Sequence, residues 1–182
     1  MNLVEQLEAE IRNRNEEYLP IPTPKKPRKR LLFPGGTDWF RATLNGRDLW
    51  GNGWIFDMQR PDYRGFEQHV DTRRVMCLDS KWPQMYDAKS LKPIVMRRYY
   101  DACQVIFENR PTPILVDKVG YDYFACRDGI TFHASVGTRR HLRPLIVLRK
   151  GETEGLLMPV AISDWDMDAL KIALKQYKEG RE

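Results

Sequence analysis

Hydrophobic and polar positions divide the chain into three stretches of different character. Over residues 1–18, Leu3, Leu7 and Ile11 recur at a spacing of four, with Val4 beside them and Glu, Arg, Asn and Gln elsewhere. That spacing predicts an amphipathic helix with a narrow apolar stripe, suited to docking on the main domain or to self-pairing. Residues 19–35 show no periodicity. Pro20, Pro22, Pro24, Pro27 and Pro34 remove backbone donors and hold the chain extended, so this stretch reads as a linker. Residues 36–182 carry short strand-like runs separated by turn signals, the pattern of one α+β domain.

Within that domain, Trp39–Leu44 and Arg47–Trp50 flank Asn45-Gly46, whose two central positions suit a tight hairpin turn. Trp54–Met58 and Arg73–Leu78 are further strand candidates, with a polar loop over Arg60–Val70 between them. Leu91–Asn109 reads as a central helix: Leu91, Val95, Tyr99, Ala102 and Ile106 fall on one stripe, Ser90 can cap it and Pro93 fits its first turn. A block of strands follows over Ile114–Asp117, Tyr121–Cys126, Ile130–Val136 and Leu145–Leu148, ending in Leu156–Ile162. Turns are expected at Val119-Gly120, Asp128-Gly129 and Lys150-Gly151. Ser163 and Asp166 make a near capping box for a C-terminal helix over 164–178, acidic at its start and with Lys171, Lys175 and Lys178 later. The expected architecture is a mostly antiparallel sheet packed against a central helix, with N- and C-terminal helical arms.

Composition narrows the class. Of 182 residues, 42% are apolar, enough for a core and against wholesale disorder. No apolar run approaches the roughly 20 residues of a membrane span, and the first residues lack the basic-then-apolar pattern of a secretory signal. The expectation is a soluble cytoplasmic protein with no membrane partner. Cys77, Cys103 and Cys126 are widely spaced and odd in number, unlike a zinc site or a disulfide framework. Lys25, Lys26, Arg28, Lys29 and Arg30 supply five positive charges, which equals the entire formal net charge of +5. The basic character of the chain is therefore concentrated in the linker and does not spread over a whole face.

Two segments together resemble a DNA sliding-clamp domain in its divergent, phage-like form. Residues 39–49, Trp-Phe-Arg-Ala-Thr-Leu-Asn-Gly-Arg-Asp-Leu, are similar to the clamp's strand–turn segment, and Leu157-Met158-Pro159-Val160 to its Met-Pro-containing last strand. Leu44 is inserted before the Asn-Gly turn, and Ala161-Ile162 stand where a basic residue often follows. The resemblance spans about residues 36–162 and implies a non-enzymatic role in a replication or phage-derived assembly, without assigning site residues. Ring clamps enclose DNA with six such domains, and this chain holds material for one.

The residues themselves offer two basic clusters. Lys25, Lys26, Arg28, Lys29 and Arg30 suit phosphates through counterion release, a nuclear localisation signal, or simply a solvated tether. Arg139, Arg140 and Arg143, with His141, join two expected strands, and their planar forks suit phosphate or carboxylate. Trp39, Trp50 and Trp54 are candidate stacking partners for bases, or core residues. His133-Ala134-Ser135 matches half of a two-histidine phosphoesterase signature, but His69-Val70-Asp71 does not supply the second half. His133 is thus the one candidate catalytic residue. Asp117, Asp122 and Asp128 are candidates to converge on a divalent ion, while turn formation accounts for Asp128. Glu152 and Glu154 read as solvent-facing. No cofactor fingerprint is present, and no cofactor or metal is expected.

These features lead to a non-enzymatic, clamp-like binding protein whose basic linker and Arg-rich turn engage nucleic acid or an acidic protein surface, with homo-oligomerisation open. One alternative is a phosphoesterase- or nuclease-type enzyme using His133 with neighbouring Arg and Asp. Another is a small interaction or inhibitor protein that assembles through its helical arms.

Overall fold

The computed structural model describes residues 3–26, 38–44, 46–77, 86–136 and 144–180. In chain order the elements are helix α1 (Leu3–Asn13), strands β1 (Glu16–Leu19), β2 (Trp39–Leu44), β3 (Arg47–Gly51) and β4 (Ile55–Asp57), a 3-10 turn (Phe66–His69), and strand β5 (Val70–Cys77). Next come β6 (Pro93–Tyr99), β7 (Ala102–Phe107), β8 (Ile114–Asp117), helix α2 (Lys118–Ala125), β9 (Ile130–Ala134), β10 (Leu145–Arg149), β11 (Glu152–Leu157) and helix α3 (Asp164–Glu179). The fold is α+β and mostly sheet.

The strands form two sheets, where the sequence pattern led us to expect one. A four-stranded sheet runs β1-β6-β7-β8 and a seven-stranded sheet runs β5-β2-β3-β4-β11-β10-β9. Every pairing is antiparallel except β2 with β5. Alternation distributes the side chains between layers. Val105 and Phe107 of β7 enter a large cluster with Leu145, Val147 and Phe124, between the sheets, whereas Ile106 turns to α3 with Val95, Leu115 and Leu170. Phe40, Leu49, Ile146 and Leu156 build a third cluster on the other face of the seven-stranded sheet. The layers are therefore α3, the four-stranded sheet, a core shared with α2, and the seven-stranded sheet.

The largest correction concerns Leu91–Asn109. Instead of a central helix it forms the β6–β7 hairpin, with Val95 opposite Ile106 and Tyr99 opposite Ala102. A spacing of four is two strand periods as well as about one helical turn, so Val95 and Tyr99 share a face in either structure, while Leu91 precedes the irregularity at Pro93/Val95 and packs on the core between the sheets. The β-branched and aromatic content of Ile94, Val95, Tyr99, Val105, Ile106 and Phe107 decides for the sheet. Tyr100 takes φ 50 at the hairpin tip.

The converse error falls on Tyr121–Cys126, expected as a strand but forming the end of α2 over Tyr121–Ala125 and its C-cap at Cys126. Asp117 caps this helix by accepting from the Val119 N–H at 2.8 Å, and Lys118 pairs with Asp122 one turn on. At the other end of the block, strand β11 stops at Leu157, short of Ile162. There the chain passes between sheets: the Met158 N–H donates to the Trp54 carbonyl at 2.8 Å and the Val160 N–H to the Leu115 carbonyl at 2.8 Å.

Residues 1–18 are helical only as far as Asn13, and Glu16–Leu19 join the four-stranded sheet beside β6. Arg97, 3% exposed, holds that junction by donating to both Glu16 carboxylate oxygens, at 3.1 and 2.6 Å, and to Gln104 at 3.2 Å. Arg14 reaches Asp166 in the first turn of α3 at 2.6 Å. The expected C-terminal helix is present with its cap, as Ser163 accepts from the Asp166 N–H at 3.1 Å. Among the described residues no helix is long and apolar enough to cross a membrane.

Candidate functional site

The most elaborate polar arrangement lies where α2 meets the pairing of β4 with β11. Asp57 ends β4 and is fully buried, with Gly155 of β11 as its pairing partner. That register brings Glu154, 7% exposed, alongside it. A glycine is required at 155: a Cβ there would lie 2.3 Å from the Phe56 carbonyl oxygen and 2.6 Å from the Phe124 ring. Its absence of side chain lets α2 come close enough for Tyr123 and Arg127 to reach the strands.

Arg127 follows the last turn of α2, where its N–H donates to the Phe124 carbonyl at 3.0 Å. Its guanidinium lies 4.7 Å from the Tyr123 ring centroid and 5.0 Å from that of Phe124. From there it donates to Glu154 at 2.9 Å and to both oxygens of Asp57, one of them at 3.4 Å. The Tyr123 hydroxyl also donates to Asp57, as does the Gln59 backbone N–H at 2.8 Å. Buried charge is thus matched with fixed donors on every side.

These neighbours fix the protonation states. Burial raises the Tyr123 phenol above its usual range, and the Asp57 carboxylate beside it raises it further. For Arg127, burial opposes the charge, but the hydrogen bonds and charge of Asp57, with help from Tyr123 and Glu154, outweigh it and push the pKa up. Burial likewise raises the Cys126 thiol, partly offset by Arg127. Tyr123 therefore stays neutral and Arg127 stays charged across the physiological range.

Above this floor opens a cavity of about 330 Å³, rimmed by Lys26, Arg60, Asp62, Asp128 and Arg149. Lys26 meets Asp62 at 3.3 Å, with both side chains largely in solvent. Arg60 pairs with Glu67, also exposed, and Arg149 stands 3.7 Å from Glu154. The rim cations are loosely held and the floor cation is locked.

Of the residues singled out in the sequence, Lys25 and Lys26 are exposed and only Lys26 lines the cavity. Arg28, Lys29, Arg30, Arg139, Arg140, Arg143 and His141 lie outside the described residues. His133 is 6% exposed on β9. Its Nδ1 is 2.8 Å from the Asp87 carbonyl, its Nε2 is 3.0 Å from the Thr131 hydroxyl, and Tyr86 packs edge-on against its ring. Both ring nitrogens are thus engaged within the fold.

Trp39 is buried against Phe66 and Tyr123, and Trp50 and Trp54 pack on the same core. Asp117 serves as a helix cap and Asp122 pairs with Lys118. Among the described residues no three His, Cys, Asp or Glu side chains gather as metal ligands would. Among the described residues Cys77, Cys103 and Cys126 form no disulfide.

Glu154 corrects the surface assignment made from its neighbouring glycine turn, while Glu152 is exposed as expected. Arg60, Arg127 and Arg149 had no motif to mark them. The available signal was a carboxylate inside an otherwise apolar run, Trp54-Ile55-Phe56-Asp57-Met58, which demands a buried partner. No family model, curated protein or solved structure matches this chain.

Proposed function

We propose that this chain is a non-enzymatic binding protein that grips nucleic acid through its phosphates at the cavity bounded by Lys26, Arg60 and Arg149. One observation carries the reading: three cations, Lys26 and Arg60 exposed and Arg149 half-buried, surround a concavity whose base is a rigid, permanently charged Arg127. An exposed ion pair contributes about 0–1 kcal/mol, so a phosphate can displace Asp62 from Lys26 or Glu67 from Arg60 at little cost. The Arg127 floor, tied to two buried carboxylates, keeps the cavity in shape while the rim adjusts. A volume near 330 Å³ suits one nucleotide unit of a strand more than a duplex.

Three features support binding over proton-transfer chemistry. Tyr123 and Arg127 are held far from titration near neutrality, burial makes the Cys126 thiol a poor nucleophile, and His133 has both nitrogens occupied within the fold. The basic linker extends the same proposal, since Lys26 stands at the rim and Arg28, Lys29 and Arg30 follow it in the chain. The clamp-like resemblance points to the same partner class. Its two segments fall in β2–β3 and at the end of β11, within or adjoining the seven-stranded sheet.

The test is fluorescence anisotropy of a labelled single-stranded oligonucleotide across a salt series. Each phosphate contact contributes a slope of about −0.7 in log affinity against log salt. Lys26→Glu, Arg60→Glu and Arg149→Glu are each expected to weaken binding several-fold and flatten that slope by about 0.7. No affinity at low salt, or affinity indifferent to all three substitutions, overturns the proposal.

A further inference from the structure

A second surface, sharing no residue with the cavity above, lies between the C-terminal half of α3 and the β7–β8 connection. It is a groove of about 260 Å³. Its floor is aliphatic: Ile94 from β6, Pro113 from the connection and Leu174 from α3. Its banks are cationic. Lys171, Lys175 and Lys178 recur at i, i+4 and i+7, which places them on one side of α3 over about 10 Å. Arg110 faces them from the β7–β8 connection, where the Asn109 side chain donates to the Thr112 carbonyl at 3.1 Å and fixes the turn.

The single carboxylate among these groups reports the local field. Lys178 donates to Glu108 at 2.9 Å. That bond and the charge of Lys178, followed by Arg110 and Lys89, hold the Glu108 carboxyl below its usual range. The remaining acidic contacts belong to α3 itself, Lys171 with Asp168 at 3.1 Å and Lys175 with Glu179 at 3.8 Å. Such exposed helical pairs are weak and yield readily to a better partner.

We propose that this groove is a docking site for an acidic peptide segment of another protein. Its ligand sets one bulky aliphatic side chain against Ile94, Pro113 and Leu174 and flanks it with carboxylates for Lys171, Lys175 and Arg110. The chemistry selects this occupant over others. Among the described residues no aromatic ring lines the groove, so a nucleobase gains no stacking from them. A single carboxylate on an acyl chain would meet one cation of a row about 10 Å long, whereas successive acidic residues can meet several. The volume holds one large side chain and falls below the range of about 300–1,000 Å³ typical of small-molecule sites.

Anisotropy titrations at low salt provide the test, with a short labelled peptide carrying a central leucine and aspartates on both sides. Replacing its leucine by alanine is expected to weaken binding about tenfold, equivalent to about 1.4 kcal/mol, because the aliphatic contact with the groove floor is lost. On the protein, Lys175→Glu is expected to weaken binding about fivefold and Lys171→Glu/Lys175→Glu more than tenfold, while Arg149→Glu leaves it unchanged. Lys175 is largely exposed, so its variants are expected to fold normally. Three outcomes overturn the proposal. One is no binding of the acidic peptide. Another is equal affinity for the leucine and alanine peptides, which would reduce the surface to a diffuse charge. The third is an oligonucleotide whose binding is lost in Lys175→Glu while peptide binding is not, which would assign the stripe to nucleic acid.

Discussion

Replacing Arg127 by methionine keeps most of its volume and its packing on Tyr123 and Phe124 while deleting the charge. Asp57 is then buried with only the Tyr123 hydroxyl and the Gln59 N–H as donors, and Glu154 retains Arg149 at 3.7 Å. Breaking a buried ion pair from one side costs about 3–5 kcal/mol, because the remaining charge is left uncompensated. The two surviving donors and the partial exposure of Arg127 argue for the lower end, about 3 kcal/mol. With a urea dependence of about 2 kcal/mol per molar, that is a midpoint shift near 1.5 M, readable by circular dichroism. The double variant Asp57→Asn/Arg127→Met removes both charges, so it should recover at least half of the loss, a coupling within the roughly 0.5–3 kcal/mol seen for contacting residues. A loss below about 1 kcal/mol in the single variant, or additive effects in the double, would refute the account of Arg127 as the lock of the cavity floor.

Two further outcomes follow from the geometry. Gly155→Ala forces a methyl group into the Phe56 carbonyl and the Phe124 ring, and overpacking of this kind costs about 1–3 kcal/mol; a thermal melt indistinguishable from the parent would contradict the close approach described for α2. For Glu16, burial raises the carboxyl pKa, but Arg97, Tyr18 and Arg14 outweigh it and the net shift is below the ordinary value of 4.5. A lowered folded-state pKa contributes stability that is present above about pH 4.5 and is lost as pH falls through the folded value. Glu16→Gln is therefore expected to lose stability at neutral pH and to show a shallower acid limb. An unchanged acid limb by urea melts at stepped pH would count against the Arg97 junction.

Local signals located much of this fold. The Asn45-Gly46 turn between Trp39–Leu44 and Arg47–Trp50, the unbroken Leu145–Leu148 run and the Ser163 cap correspond to β2–β3, β10 and α3. Where the readings failed, one pattern served two structures. Val95 and Tyr99 suit both a helix and a strand, and Tyr121–Cys126 reads as a strand in isolation although Asp117 just before Lys118 offers a helix cap. The cavity was illegible for a different reason. Asp57, Tyr123, Arg127 and Glu154 come from three distant parts of the chain, and only the register of β4 on β11 makes them neighbours. The α3 lysines were visible, but the helix dipole explained them, and nothing local announced that Ile94 and Arg110 would face them.

Strand β1 changes the meaning of the basic segment. Because Glu16–Leu19 are bonded into one sheet and Trp39–Leu44 into the other, the chain between them is leashed at both ends. Lys29 lies ten residues from either anchor. At about 3.3 Å per residue, its contour reach is at most roughly 33 Å from each. The basic segment is thus a connection between two sheets, anchored by β1 before it and β2 after it. Under the proposed function, a strand bound at Lys26 and the linker charges that follow it in sequence belong to one tethered segment, so their contributions are coupled by chain length.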